Sequence, residues 1–402
     1  MIKKKTADLA IFGGEPLFND SLHVGKPNIG NQERLMERIQ DILNRRWLTN
    51  NGRYVREFEE RIADFLGVKN CVAMCNGTVA LEIAARALGL TGEVIAPSFT
   101  FIATAHSLQW QGITPVFCDI DPKTHNIDPD RIERLITPRT SGIIGVHLWG
   151  RPCRIDALQS LAEERGLKLL FDASHAFGSS YQGRRIGSFG HAETFSFHAT
   201  KFLNSFEGGA VVTNDDQLAK KMRLMKNFGF GGVDDVIYIG TNGKMSEISA
   251  AMGIASLEYI DAIISQNQAN YKTYQRELRG LDGVEQIAYN ENEKNNFQYI
   301  VLEIDAKKTG VTRDALVDLL HAENIRARRY FYPGCHRMEP YRSYYPNAGL
   351  LLSETEKLTD RVLCLPTGTT ISEEDIEKIG RLFHFVIKNS DKIRINSAST
   401  IH

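Results

Sequence analysis

Between residues 31 and 260 the apolar positions of this chain switch repeatedly between two spacings. Residues 34–45 and 54–66 repeat them at helical intervals, with Phe58, Ile62 and Phe65 on one face, and 78–90 is a helix rich in alanine and leucine. Apolar runs of strand length intervene at 93–96, 114–119, 142–148, 167–173, 194–197 and 210–213, with helical stretches at 155–165 and 216–227 among them. Such an alternation predicts an α/β unit whose mostly parallel sheet is covered by helices on both faces. A long helix over 245–264 leads out of it. Beyond, 298–304 reads as a strand, 313–323 as a helix and 326–332 as another strand. A closing helix over 372–387 has Ser372 as N-cap and acidic residues in its first turn. This half predicts a smaller α+β domain. The expected division is an N-terminal segment at 1–30, a large domain at 31–262 and a small C-terminal domain at 263–402, polar and tail-like from 389 onward.

Composition sharpens this picture mainly by exclusion. A chain of 402 residues, 42% of them hydrophobic, is long enough for two cores. With 48 basic and 49 acidic side chains, it offers no charge excess toward nucleic acid or an anionic membrane. The one basic run, Lys3 to Lys5, reads as a solvated chain end. Six cysteines without a CxxC pair build neither a disulfide scaffold nor a zinc site, so no metal is expected. Cys71 and Cys75 read as small buried hydrophobes. The first residues are charged and then glycine-rich, unlike a secretion signal, and no apolar run approaches the roughly 18 residues of a membrane span. The expected location is the reducing cytoplasm.

Ligands of open α/β sheets sit beyond the carboxyl ends of the strands, so the residues there carry the chemistry. The candidates are 97–101, 119–121, Trp149, 172–175 and 196–201. Asp172 ends a mainly apolar run; standing alone it reads equally well as a helix cap or a loop ion pair. Lys201 follows the strand through Phe197, and a lone lysine after a strand is ordinarily solvated. Here, however, the chain passes Gly208 and Gly209 and returns directly into another strand, which permits a tight backbone approach. A lysine held there loses hydration, its pKa falls, and it becomes a nucleophile toward aldehydes. Asn76, Gly77 and Thr78 precede an alanine-rich helix whose first N–H groups attract an anion. An anion seat, a carboxylate and a lysine are together what pyridoxal phosphate (PLP) requires: phosphate anchorage, a protonated ring nitrogen and a carbonyl-reactive amine. Phe101 is available to stack on the ring.

Eight short segments in order extend the match over residues 13–387. They are GRYVREFE (52–59), NGTVAL (76–81), PSFTFIAT (97–104), FDASHAFG (171–178), SFHATK (196–201), EGGA (207–210), 242–253 and LPTG (365–368). With these the chain resembles the DegT/StrS-type sugar-nucleotide aminotransferases, within the aspartate-aminotransferase-like (fold type I) PLP enzymes. The resemblance implies that Lys201 is the Schiff-base lysine and Asp172 the partner of the pyridine nitrogen. It implies Gly77, Thr78 and Ser196 at the phosphate, Phe101 against the ring, and His175, where many members carry glutamine, near the phenolic oxygen. Asn227 matches a residue that reaches the phosphate of the other subunit, so a homodimer with shared sites is implied. Where many members have Asn-Tyr-Arg this chain has Asn242, Gly243 and Lys244, and no sugar contact is assigned to the last two.

Within that family, SFHATKFLNSFEGG (196–209) is most similar to enzymes aminating C4 of a dTDP-4-keto-6-deoxyhexose. The implied reaction takes nitrogen from L-glutamate and yields a 4-amino-4,6-dideoxyglucose nucleotide for O-antigen or antibiotic sugars. A C3 aminotransferase, a pyridoxamine-dependent dehydratase and a non-catalytic regulator on this fold are the alternatives. Lys201 opposes the dehydratase, whose members carry histidine at that position. Without the resemblance, a cofactor-free Schiff-base aldolase is the fallback. His198 reads as a packing residue of the lysine loop. Residues 330–336 touch the sugar or simply pack, and Trp47 reads as core rather than cleft.

Overall fold

The computed structural model describes residues 3–393. Seven strands form the large sheet: β1 (Asn70–Met74), β2 (Glu93–Pro97), β3 (Thr114–Cys118), β4 (Thr140–Val146), β5 (Lys168–Asp172), β6 (Ala192–Ser196) and β7 (Gly209–Thr213). Their order is β1-β7-β6-β5-β4-β2-β3. β7 runs antiparallel to both neighbours and every other pair is parallel. The reason lies in the connections. Parallel neighbours need a long crossover, whereas β6 and β7 are joined by the irregular loop 197–208. That loop carries Lys201.

Alternation along the strands builds two cores. Leu169 and Phe171 of β5 face one side, with Phe58 and Ile62 of α2 (Arg53–Leu66) and Ile254 of α7 (Glu247–Leu257). Leu170 faces the other, with Leu81 of α3 (Gly77–Ala87) and Met222 of α6 (Asp216–Met225). Helices α1 (Gln32–Arg45), α4 (Ala103–Gln109) and α5 (Ile155–Arg165) complete this unit. A further core lies between the three-stranded antiparallel sheet β8 (Val284–Gln286), β9 (Ile300–Ile304), β10 (Val362–Leu365) and helices α8 (Ile260–Glu277), α9 (Arg313–Ala322) and α10 (Glu373–Lys388). Ser372 caps α10 through a reciprocal bond with Asp375.

Several expectations are corrected. The helix read over 245–264 is two, α7 and α8, bent by 60°. Glu258, which caps α7, is held by Arg38 and Arg61, and Tyr259 leaves helical geometry. The strand read over 326–332 is confined to Ile325–Arg326, because the chain then turns through hydrogen bonds from Tyr332 to Arg329 and from Gly334 to Phe331. Strands β1, β8 and β10 were not anticipated; three to five residues hold too little alternation to read. Lys3 is not a solvated end. It is buried, pairs with Glu323 at 2.9 Å and donates to the Asp8 and Glu15 carbonyls. Leu9 and Phe18 join the core of the second unit, and Leu22–His23 pairs in parallel with Ile325–Arg326. Trp47 is 58% exposed rather than core. Of the expected tail, residues 394–402 lie outside the described residues. Among those described, no single helix is long and apolar enough to cross a membrane.

One distant carboxylate holds the start of α2 in place. Gly52 precedes α2 and offers no capping side chain, and the two oxygens of buried Glu247 accept the Tyr54 and Val55 N–H groups at 2.9 Å each. Replacing Glu247 by alanine strands both donors and removes the carboxylate's charge from the helix N-terminus. Glu247→Ala is therefore expected to lower the unfolding free energy by about 2–3 kcal/mol in denaturant titration.

Candidate active site

A cavity of about 550 Å³ opens at the carboxyl edge of the large sheet, where the second unit closes over it. Of the residues the resemblance assigns to the cofactor, all but Asn227 line it: Gly77, Thr78, Phe101, Asp172, His175, Ser196 and Lys201; the strand-end candidates at 119–121 and Trp149 do not. Asn227 sits outside it, at the end of α6, in a single bridge with Asn242.

At one end is the N-terminus of α3. The Asn76 side chain accepts the Val79 N–H at 2.8 Å, and among the described residues the Gly77 and Thr78 N–H groups have no intrachain acceptor. Glycine is required around this turn by close approach. A Cβ on Gly77 would meet the Ser196 Cβ at 2.8 Å, and one on Gly209 would meet the Asn76 carbonyl at 2.5 Å. The turn, the start of β7 and the end of β6 are thereby pressed together, with Ser196 beside two free N–H donors.

Asp172 ends β5 with its carboxylate buried. One oxygen accepts from the Thr104 hydroxyl at 3.0 Å and the other from the Ser174 N–H at 3.1 Å. Thr104 comes from α4, and Thr100 lies 3.2 Å from it. Lys201 stands in the same cavity on the β6–β7 loop, whose base is pinned by bonds from Phe197 to Gly208 and from Ser205 to Phe197, each 2.8 Å. Burial pulls the Lys201 ammonium down to about 8, while Asp172 pushes it back up. His175 is buried and held well below its usual pKa, by burial first and the Lys201 charge second. It is a neutral ring.

The second unit supplies the opposite wall. Tyr299, Arg328, Tyr330 and Phe331 line the cavity, with Phe331 6.4 Å from the Phe101 ring. Of the stretch 330–336, then, the first two residues face the site. His336 is buried against Ser98 and Glu356 instead. Arg328 has no carboxylate in ion-pair distance among the described residues; its guanidinium lies over Tyr330. His198 lines the cavity edge yet bonds within its own loop, to Thr200 at 2.8 Å and Glu207 at 3.4 Å. Sequence reading missed Thr104, Tyr299 and Arg328. Thr104 lies inside a matched segment, but nothing local marks a threonine as a carboxylate partner.

These groups fit pyridoxal phosphate on their own chemistry. Two unpartnered N–H donors and a serine suit a phosphate, a buried carboxylate lining the cavity suits a pyridinium, and a desolvated lysine suits a carbonyl carbon. Fold and site define a PLP enzyme of the aspartate-aminotransferase-like type. Comparison with known proteins then places it more closely. Residues 30–383 match the DegT/DnrJ/EryC1/StrS aminotransferase family, and the chain belongs to that family. It is 37% identical over 364 residues, 90% of this chain and 98% of the other, to dTDP-4-amino-4,6-dideoxy-D-glucose transaminase of Escherichia coli. The GDP-perosamine synthase of Caulobacter vibrioides is 35% identical, over 89% of this chain and 96% of the other. Among solved structures, DesI in the presence of its TDP-sugar product superposes with a TM-score of 0.93 at 49% identity, covering 96% of this chain and 98% of that one.

Because the Lys201 amine is desolvated, its reactivity should follow its own titration. In cofactor-free protein, reductive methylation of Lys201 read by peptide mass spectrometry should rise with a midpoint of about 8. A midpoint near that of an exposed lysine, about 10.4, would mean the amine is hydrated.

Proposed function

We propose that this chain is a PLP-dependent transaminase that moves the amino group of L-glutamate to C4 of dTDP-4-keto-6-deoxy-D-glucose, giving dTDP-4-amino-4,6-dideoxy-D-glucose. The observation that carries this reading is the convergence of Lys201, Asp172 and the α3 N-terminus in one cavity, on a chain 37% and 38% identical to two such transaminases over about nine-tenths of its length. When bound, the cofactor supplies an electron sink for the carbanion left at the donor or sugar carbon.

The chain's own residues divide the remaining work. Gly77, Thr78 and Ser196 hold the phosphate. Asp172, oriented by Thr104 and Ser174, keeps the pyridine nitrogen protonated, and the desolvated surroundings strengthen that pair. Lys201 holds the cofactor between turnovers. Released, its neutral amine removes the proton from the donor's α-carbon and later delivers one to C4 of the sugar. Phe101 would stack against the ring, and Tyr299, Tyr330 and Phe331, which line the other wall, would exclude water there. Arg328, which has no ion-pair carboxylate among the described residues, receives a carboxylate of glutamate.

The active form is a homodimer. Trp47 and Leu48 lie beside α7 through the bond from Glu247 to Leu48, and Phe228, Phe230, Ile237 and Ile239 are also exposed, on the loop that Asn227 opens. Apolar side chains so placed fit a second copy of the chain, to whose phosphate Asn227 would then reach. Its location is the cytoplasm, where its six free cysteines stay reduced.

With [15N]glutamate and dTDP-4-keto-6-deoxyglucose, the product's nitrogen should appear at C4 by NMR. Nitrogen at C3 would select the C3 alternative, and no transfer would discard this substrate. Lys201→Ala should abolish turnover while still binding pyridoxamine phosphate. Arg328→Gln should raise the KM for glutamate by about 10–100-fold and leave that for the sugar nearly unchanged, as expected for one lost charge-assisted pair. An unchanged glutamate KM would take Arg328 out of donor binding.

A further inference from the structure

Trp149 is the largest fully buried side chain of the protein, and it does more than fill space. It follows β4 by three residues, with φ of 62° and ψ of 8°, a left-handed backbone that an aromatic residue adopts only when its surroundings enforce it. Four contacts do so. The Trp149 carbonyl accepts from the Tyr289 hydroxyl at 3.0 Å. The indole stacks on Phe331 at 5.4 Å between centroids and on His175 at 6.2 Å. Its Nε1–H donates to His125 Nδ1 at 3.1 Å. In that backbone conformation the Trp149 N–H points at His175 Nδ1, 3.4 Å away.

A ring nitrogen that accepts an N–H carries no proton, so a neutral histidine bonded in this way bears its proton on Nε2. We infer that Trp149 is a positioning residue for the site: its enforced backbone fixes His175 as the Nε2–H tautomer and keeps that donor turned into the cavity. The same residue sets a second histidine. An indole N–H is a donor only, so His125 must also place its proton on Nε2, where it faces Glu303 of β9 at 3.1 Å. Glu303 in turn pairs with Arg361 at 2.6 Å. One buried tryptophan thus joins the end of β4 to the second unit and presents His175 as a neutral donor. A neutral ring is what the low pKa of His175 also requires. Under the proposed function that donor faces the cofactor, and to this extent the inference rests on that reading. The tautomer itself is a property of the chain alone.

The test is long-range 1H–15N NMR of the [15N]histidine-labelled full chain without cofactor, with His175→Gln identifying the resonances of His175. The wild type should show His175 Nδ1 in the unprotonated range and Nε2 in the protonated range. Trp149→Phe keeps the stacked ring and loses only the Nε1–H, so His175 should keep its pattern while His125 changes. Trp149→Ala removes what enforces the left-handed backbone and should convert His175 to a mixture with Nδ1–H. A residue that merely filled space would lower the melting temperature in Trp149→Ala without altering the His175 tautomer, and that result would overturn the inference. So would Nδ1–H at His175 in the wild type, which decides the matter even if Trp149→Ala does not fold. If His175 shows Nε2–H but the protein takes up no PLP, the inference stands and the proposed function fails.

Discussion

A lysine amine set into the site cavity, partly shielded from water and facing a single carboxylate, is the interaction on which the rest of this site depends. Removing Lys201 from water lowers its pKa to about 8, so that near neutral pH a usable fraction is the free amine. Asp172 opposes that fall, and its own oxygens are occupied by Thr104 and Ser174. The balance leaves Lys201 poised between charged and neutral forms, as a residue that must both bond to carbon and carry protons needs to be. Lys201 could not keep this character on the surface, where hydration would erase the shift.

The topology supplies the confinement. The β6–β7 connection is an irregular return rather than a helical crossover, so it delivers a loop residue back over the sheet edge while Phe197, Ser205 and Gly208 clamp its base. The close approach of Gly77 to Ser196 and of Gly209 to Asn76 brings the anion-attracting helix end to the same edge. The other wall comes from sequence 98 to 130 residues beyond Lys201, through Tyr299, Tyr330 and Phe331. Trp149 joins the two, stacking on His175 from one unit and Phe331 from the other.

The elements that lay open in the sequence are those whose signal is local. Helices 53–66 and 155–165 repeat apolar residues at helical spacing, and β5 is an apolar run ending in Asp172. What escaped notice depends on partners far away in sequence. Lys3 looked solvated because its partner Glu323 lies at the other end of the chain, and Gly52 gave no sign that Glu247 caps its helix. Lys201 itself was an ordinary lysine by composition; its loop glycines and the family resemblance singled it out, and burial explains why. Trp149 stood among the strand-end candidates, yet its left-handed backbone cannot be read from a residue type that avoids it.

The central claim, that Lys201 is the carbonyl-reactive amine of a PLP site, is tested most directly by the absorbance spectrum of the full chain loaded with PLP and then freed of unbound PLP by gel filtration. The account predicts a band at longer wavelength than the aromatic side chains absorb, bleached by glutamate and restored by dTDP-4-keto-6-deoxyglucose. It also predicts that this band is missing from Lys201→Ala. An identical band in that variant, or none retained by the wild type once unbound PLP is removed, would contradict it.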